Sequence, residues 1–206
     1  METDEGSTRK RILEAALDEF AMKGIAGARV ETIAKRAGAN VRMIYYWFDN
    51  KRGLYEAVNA YVISANDDSL EGVSIDDVAA DPFRALFGTK TPNPRFIRLL
   101  EWEELESATT DADLANFGER RSQAEARIEL LRAAQAAGRL PAEIDAAMLY
   151  FVMHALTRAP YAFPSLARYA TGIDPESAEF AEEFGAFLTV LGRLVAGGGD
   201  APAETQ

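Results

Sequence analysis

Apolar side chains recur along this chain with the spacing of helices, and no stretch alternates in the way a half-buried strand does. Residues 1–6 form a polar lead expected to be unstructured. In residues 8–23, Ile12, Leu13, Ala16, Leu17 and Phe20 share one face of a helix that Ser7 or Thr8 can cap and Gly24 should stop. Gly27 is a second breaker. In residues 30–37, Val30, Ile33, Ala34 and Ala37 fall at i, i+3, i+4 and i+7. Gly38 follows, a residue that takes a positive φ at little cost and so ends a helix sharply. Asn40 then offers its side-chain oxygen to the free amides of a third helix, residues 41–48, with Val41, Ile44, Tyr45 and Phe48 as its apolar set. Asp49 and Asn50 cap a fourth helix that starts near Lys51, carries Leu54, Ala57, Val58, Tyr61 and Val62 inward, and ends in the polar residues 66–69.

Two short amphipathic helices joined by a three-residue link containing glycine make a helix-turn-helix, in which the second helix enters the DNA major groove. Arg42, Tyr46 and Lys51 lie off the buried stripe, where they can meet phosphates or base edges. Short helix pairs also occur without any DNA role, so the spacing by itself leaves both readings open.

The remainder of the chain is also helical by pattern. Residues 76–87 predict a short helix that Pro82 should kink or split. Pro94 opens a helix through Ser107, after a break rich in Thr and Pro. A long polar-faced helix spans about residues 112–137 and ends at Gly138. Residues 144–161 are dense in large apolar groups, with Pro160 and Pro164 flanking their end. A turn over residues 171–175 leads to a last helix through Val195 and a flexible tail, residues 197–206. The fold class is therefore all-α, about nine helices in total: an N-terminal helix-turn-helix three-helix domain over residues 1–52, expected to bind DNA, and a C-terminal helical domain over residues 53–196.

Composition narrows the chemistry. The 206 residues include no cysteine and one histidine, which excludes a disulfide framework or a thiolate metal site and leaves no nucleophile–base pair to nominate. No EF-hand or paired Glu-x-x-His spacing occurs, so no catalytic residue, metal site or cofactor is assigned, although a carboxylate-only site stays open. No secretion signal opens the chain and no apolar run reaches spanning length, so a cytoplasmic location without a membrane partner is expected. The net charge of −11 argues at first against nucleic acid. Its distribution reverses that impression: residues 7–52 carry ten Lys and Arg against five Asp and Glu, while residues 61–206 carry twelve against twenty-four. A basic reading head on an acidic body fits DNA contact confined to the head, and chance unevenness of a solvated surface is the plainer alternative.

With these residues in view, residues 8–62 resemble the DNA-binding domain of the TetR (tetracycline-repressor) family of bacterial transcriptional regulators. The resemblance rests on Ile12, Ala15, Ala16, Phe20, Gly24, Val30, Ile33, Ala34, Ala37, Gly38, Tyr45, Phe48, Lys51 and Leu54, above all in the IAKRAG and IYYWFDNK segments. The YAFPSLARYATGIDP segment before the last helix is similar to the family's regulatory domain. The resemblance implies a homodimer on a palindromic operator that loses DNA affinity when a small molecule binds the body. It implies that Asn40 caps the recognition helix, where Ser or Thr is usual, and that Arg42 in the first turn contacts a base edge. Tyr45 and Tyr46 match a phosphate-contacting aromatic pair, and Lys51 a phosphate-binding position. Arg29 stands where a capping Thr or Ser is common; it can reach a phosphate but leaves the second helix without an evident cap. Trp47 replaces a His or Tyr and suits packing against the first or fourth helix as well as it suits DNA.

The last two long helices are the expected dimer interface, through Met148, Phe151, Phe184, Phe187, Leu188 and Leu191, because helices this rich in large apolar groups need cover on more than one side. An intrachain core is the alternative. Trp102, Glu106, Phe117, Arg121, Tyr150, His154, Arg158 and Tyr161 are candidate lining groups for a small, partly apolar effector. Each also has a structural reading: Trp102 and His154 as core residues, the Glu101–Glu106 acids as a solvated face, Arg121 and Arg158 as their ion-pair partners. Effector binding is expected to move the fourth helix and so alter the separation of the two heads. The rival class is an all-helical carrier or enzyme whose helix-turn-helix is architectural.

Overall fold

A computed structural model describes residues 2–65, 70–88, 92–107 and 116–197, and among these every regular element is an α-helix. Eleven helices follow in order: α1 (Glu2–Gly27), α2 (Val30–Ala37), α3 (Val41–Phe48), α4 (Lys51–Ala65), α5 (Ile75–Ala80), α6 (Pro82–Phe87), α7 (Pro94–Ser107), α8 (Phe117–Ala136), α9 (Ala146–Ala162), α10 (Pro164–Thr171) and α11 (Ala178–Val195). They fall into two compact units, Met1–Asp67 with Asn93–Gly118, and Asp68–Pro92 with Glu119–Gln206.

The first unit holds α1 to α4 together with α7. Its core joins Ile12, Leu13, Ala16, Leu17 and Phe20 of α1 to Val30, Ile33 and Ala37 of α2, Ile44 and Phe48 of α3, Leu54 and Val58 of α4, and Phe96 and Leu99 of α7. Helix α1 is the hub, packing on α2, α4 and α7. It starts at Glu2, so residues 2–6 are helical rather than an unstructured lead. Ser7 and Thr8 consequently lie inside the helix, where their hydroxyls accept from the Arg11 guanidinium at 3.2 and 2.8 Å instead of capping. Regular helix breaks at Gly24, where the sequence places a stop (φ 65°, ψ 176°), and one further turn follows. The ring of Trp102 lies 3.0 Å from where a side chain at that glycine would begin, and its indole N–H donates to the Ala21 carbonyl at 3.2 Å.

The turn from α3 to α4 is tight. Asp49 adopts φ 65°, the Asn50 amide donates to the Phe48 carbonyl at 2.7 Å, and the Asn50 side chain accepts from the Gly53 amide at 2.9 Å. A Cβ on residue 53 would lie 2.2 Å from the Phe48 carbonyl oxygen, so only glycine fits. Tyr55 and Asn59, outside the apolar stripe read for this helix, are both buried.

The second unit holds α5, α6, α9, α10, α11 and nearly all of α8. Val78, Phe83, Leu86, Leu131, Ala134, Leu140, Ala146, Leu149 and Met153 form its core. Pro82 divides the 76–87 segment as expected: it forces Asp81 into an extended conformation, and the Asp81 carboxylate then caps α6 by accepting from the Arg84 amide at 3.1 Å. That split and helix α10 account for the two helices beyond the expected nine. Helix α10 buries no residue, and although its eight residues are amphipathic it begins at Pro164, which with Pro160 reads as the end of the helix before it. Helix α9 begins at Ala146 behind the Asp145 cap, and α11 at Ala178 behind the Ser177 cap. Helix α11 lies on α6, with the place of a Gly192 Cβ 2.9 Å from Pro82 and the Thr189 hydroxyl donating to Asp81 at 2.7 Å. The expected stop at 66–69, residues 89–91 of the expected break, the start of the long helix at 112 and the tail beyond 197 lie outside the described residues.

Candidate nucleic-acid interface

The α2–turn–α3 geometry follows the residues that predicted it. Gly38 takes the left-handed conformation (φ 62°, ψ 33°), and its amide and that of Ala39 close the end of α2 on Lys35 and Ala34. Asn40 is extended and its side-chain oxygen accepts from the Arg42 amide at 2.9 Å. Ile44 and Phe48 anchor α3 in the core, while Arg42, Met43, Tyr45 and Tyr46 stand outward, Tyr46 being 85% exposed. Tyr45 thus leaves the apolar stripe and joins the outer face. Trp47 is half-buried, packed on the core and set edge-to-face with Phe48, so much of its surface is spent on packing. Helix α3 carries no acid in its first turn, which leaves its positive N-terminal end unopposed toward an anion.

Basic groups around the motif divide into those free to meet DNA and those that hold it in shape. Arg42 and Arg29 are exposed. Arg29 begins α2 without a side-chain cap; its amide instead donates to the Glu19 carboxylate at 3.4 Å. Lys51 donates to the carbonyls of Ala26 and Ala28, each at 3.2 Å, tying the start of α4 to the corner between α1 and α2. One ammonium proton remains for a phosphate. The Arg9–Arg11 cluster, which the sequence showed only as local charge, is structural as well: Arg9 sits 5.3 Å above the Phe48 ring, and Arg11 donates to the Ala37 carbonyl at the end of α2.

Beneath this surface lies Glu19, fully buried in α1. It pairs with Lys23 at 2.7 Å and Arg36 at 3.6 Å. Burial works to raise the pKa of this carboxyl, but the bonds from Lys23 and Arg29 and the charges of Lys23 and Arg36 outweigh it and hold the pKa below its ordinary value. One carboxylate therefore fixes α1 to both the start and the end of α2.

The effector candidates are divided between the two units, three in the first and five in the second. Trp102 and Glu106 belong to α7, and Trp102 is engaged with α1 as described. The acidic run is not a uniformly solvated face, because Glu103 is buried. Phe117 is exposed, and Arg121 is exposed and paired with Glu125 at 2.8 Å. Tyr161 is a core residue at 6% exposure. Tyr150, His154 and Arg158 do come together on one face of α9: the Tyr150 hydroxyl lies 3.3 Å from His154 Nδ1, and Arg158 donates to the His154 carbonyl at 3.3 Å.

Among the interface candidates, Met148, Phe151 and Phe187 point outward with 63%, 64% and 51% exposure. Phe184 stacks between Phe180 and Phe187, and Leu188 and Leu191 are half-buried against the core of their own unit. No group of three or more His, Cys, Asp or Glu suited to a metal occurs among the described residues, and none of their helices is long and apolar enough to cross a membrane.

Comparison with known proteins agrees with this geometry. Residues 12–58 match the family described as bacterial regulatory proteins, tetR family, and residues 83–183 match a tetracyclin repressor-like C-terminal domain. The helix-turn-helix-type transcriptional repressor SCO4008 of Streptomyces coelicolor is 32% identical over 176 residues, covering 82% of this chain and 86% of its own length. The repressor NicS of Pseudomonas putida is 32% identical over 105 residues, 48% of this chain and 49% of its own. The crystal structure of the transcriptional regulator SCO4942 from Streptomyces coelicolor has a TM-score of 0.65 at 25% identity, covering 89% of this chain and 97% of that one. With the motif geometry and these likenesses together, the chain belongs to the TetR family of bacterial transcriptional regulators, DNA-binding proteins rather than enzymes.

Proposed function

We propose that this regulator is a cytoplasmic repressor that binds a palindromic operator as a homodimer and is released when a small molecule occupies the helices after the head. The observation that carries the DNA half is the outward face of α3, where Arg42, Met43, Tyr45 and Tyr46 are presented by a helix whose other side is locked by Ile44 and Phe48. Arg42 reads a base edge, Tyr45 and Tyr46 contact phosphates, and Met43 offers apolar surface to a thymine methyl. Arg29 and the remaining proton of Lys51 add phosphate contacts, and Asn40 and Trp47 set the orientation of α3. Two relatives, SCO4008 and NicS, are named repressors, which supports that direction of control.

Dimerisation is supported by the uncovered apolar faces of α9 and α11, and it has a functional reason: two recognition helices about 34 Å apart match successive major grooves. Effector release requires a coupling of only ~1–3 kcal/mol to weaken operator binding several-fold or more. The test is fluorescence anisotropy with DNA flanking the protein's own gene and an unrelated duplex of equal length. Tight, saturable binding to the first duplex, with one dimer per palindrome, is the expected result. Equal binding to both duplexes at all salt concentrations would refute the operator reading.

A further inference from the structure

One face of α9 carries polar groups for which the DNA-reading head has no use. Tyr150, His154 and Arg158 follow one another at intervals of a single turn. The Phe87 ring at the end of α6 stacks on Tyr150 with centroids 6.0 Å apart and leans on His154 at 5.7 Å. All four side chains are half-buried, neither sealed in the core nor free in solvent.

Arg158 is the unusual member. A guanidinium has five N–H donors, and this one spends a single donor, Nη1, on the His154 carbonyl. Its Nε is sealed from solvent and meets no acceptor. No carboxylate of the described residues enters its electrostatic surroundings, which consist of Tyr150, Arg127 and Arg120. Burial, reinforced by Arg127 and Arg120 and opposed by Tyr150, brings its pKa down to about 10. Burial and the charges of Arg158 and Arg127 bring that of His154 to about 3. The surroundings of Arg158 are desolvated and positively charged, and the rings of Tyr150, His154 and Phe87 pack together on the same face of α9. Such an arrangement costs stability unless a negative partner completes it. Tyr150 can help: when His154 Nδ1 carries the proton, the imidazole donates to the tyrosine oxygen and frees the hydroxyl proton for another acceptor.

We propose that Arg158, with the Tyr150 hydroxyl beside it and Phe87 and His154 as its walls, is the anion-recognition point of the effector site, and that the effector is a small aromatic oxyanion, a carboxylate or a phosphate. This rests on the reading of the chain as an effector-released repressor and gives that effector its chemical class. The oxyanion takes the unspent guanidinium donors, and the aromatic body lies against the rings.

His154 is the only histidine, so its carbon-bound ring protons give an unambiguous NMR signal. The intact protein is titrated with benzoate, phenyl phosphate and the uncharged benzamide at millimolar concentration. Benzoate or phenyl phosphate is expected to shift the ring signals saturably and to raise the pH midpoint of the imidazole, and the stronger of the two identifies the oxyanion. Benzamide should bind at least about tenfold more weakly. Arg158→Leu should abolish the response while raising the Tm of the ligand-free protein, because an uncompensated buried charge is removed. Arg158→Lys should retain a weakened response, and Tyr150→Phe, which keeps the ring, should weaken it without unfolding. The proposal is overturned if benzamide matches the acids, if Arg158→Leu still responds, or if no acid moves the signals. Operator anisotropy is run in parallel. Loss of sequence-specific DNA binding in the absence of any acid would refute the repressor reading and leave the imidazole result standing. An acid that binds at Arg158 without releasing DNA would overturn its assignment as effector site.

Discussion

At the scale of single residues, the head depends on a few side chains whose roles are separable by measurement. Arg42 is exposed, and only its backbone amide is engaged, with Asn40. Arg42→Ala should therefore leave Tm unchanged but cost ~1–3 kcal/mol of discrimination at one operator base pair, read by anisotropy against a set of single-base operator variants. Lys51 behaves differently, since its ammonium holds the corner at Ala26 and Ala28; its replacement touches both fold and DNA affinity. Glu19 belongs wholly to the fold. Its depressed pKa means that its stabilising contribution is full above the ordinary value of 4.5 and is lost as pH falls below it. Glu19→Gln should lower stability at neutral pH by ~1–3 kcal/mol and flatten the loss below pH 4.5, measured by urea unfolding across a pH series. No sequence pattern announced this residue, because a buried glutamate on an apolar face looks like an interruption until its three partners are placed around it.

At the scale of elements, apolar period and punctuation were legible wherever a helix buries a continuous stripe. The end of α2 and the starts of α3 and α7 fall where Gly38, Asn40 and Pro94 place them, because each of these termini is made by a local backbone or capping interaction. Helix α10 is amphipathic too, but it was hidden behind Pro160 and Pro164, which read as the end of the preceding helix. Helices α9 and α11 show how one helix can serve two surfaces. On α9, Leu149 and Met153 enter the core while Met148 and Phe151 face out; on α11, Leu188 and Leu191 pack inward while Phe187 faces out. A charge on the outward side should separate subunits without disturbing the core. Phe151→Glu combined with Phe187→Glu is expected to give a monomer by light scattering with nearly unchanged helical content. The same variant should bind operator at least about tenfold more weakly, since the second recognition helix no longer comes with the first. A dimer that survives both substitutions would place the interface elsewhere.

At the scale of the whole molecule, a chain of net charge −11 belongs to a DNA-binding family, and its residues 7–52 carry a local excess of positive charge. DNA affinity should accordingly fall steeply with salt. A dimer neutralising about six phosphates would lose roughly a thousandfold between 50 and 200 mM, and a shallow slope would mean that the basic groups are spent within the fold. The sequence by itself determined the all-helical class, the helix-turn-helix and its boundaries, and the outward positions of Arg42 and Tyr46 on α3. These depend on interactions between near neighbours in the chain, which leave periodic or capping signals. Only the tertiary structure decided that Trp102 is committed to α1 and that Lys51 and Arg11 brace backbone carbonyls. It alone buried Glu103 and Tyr161, and joined Tyr150, His154 and Arg158 through hydrogen bonds on one face of α9. In each of these the deciding partner is distant in sequence, or the deciding quantity is burial, and neither is written in the local order of residues.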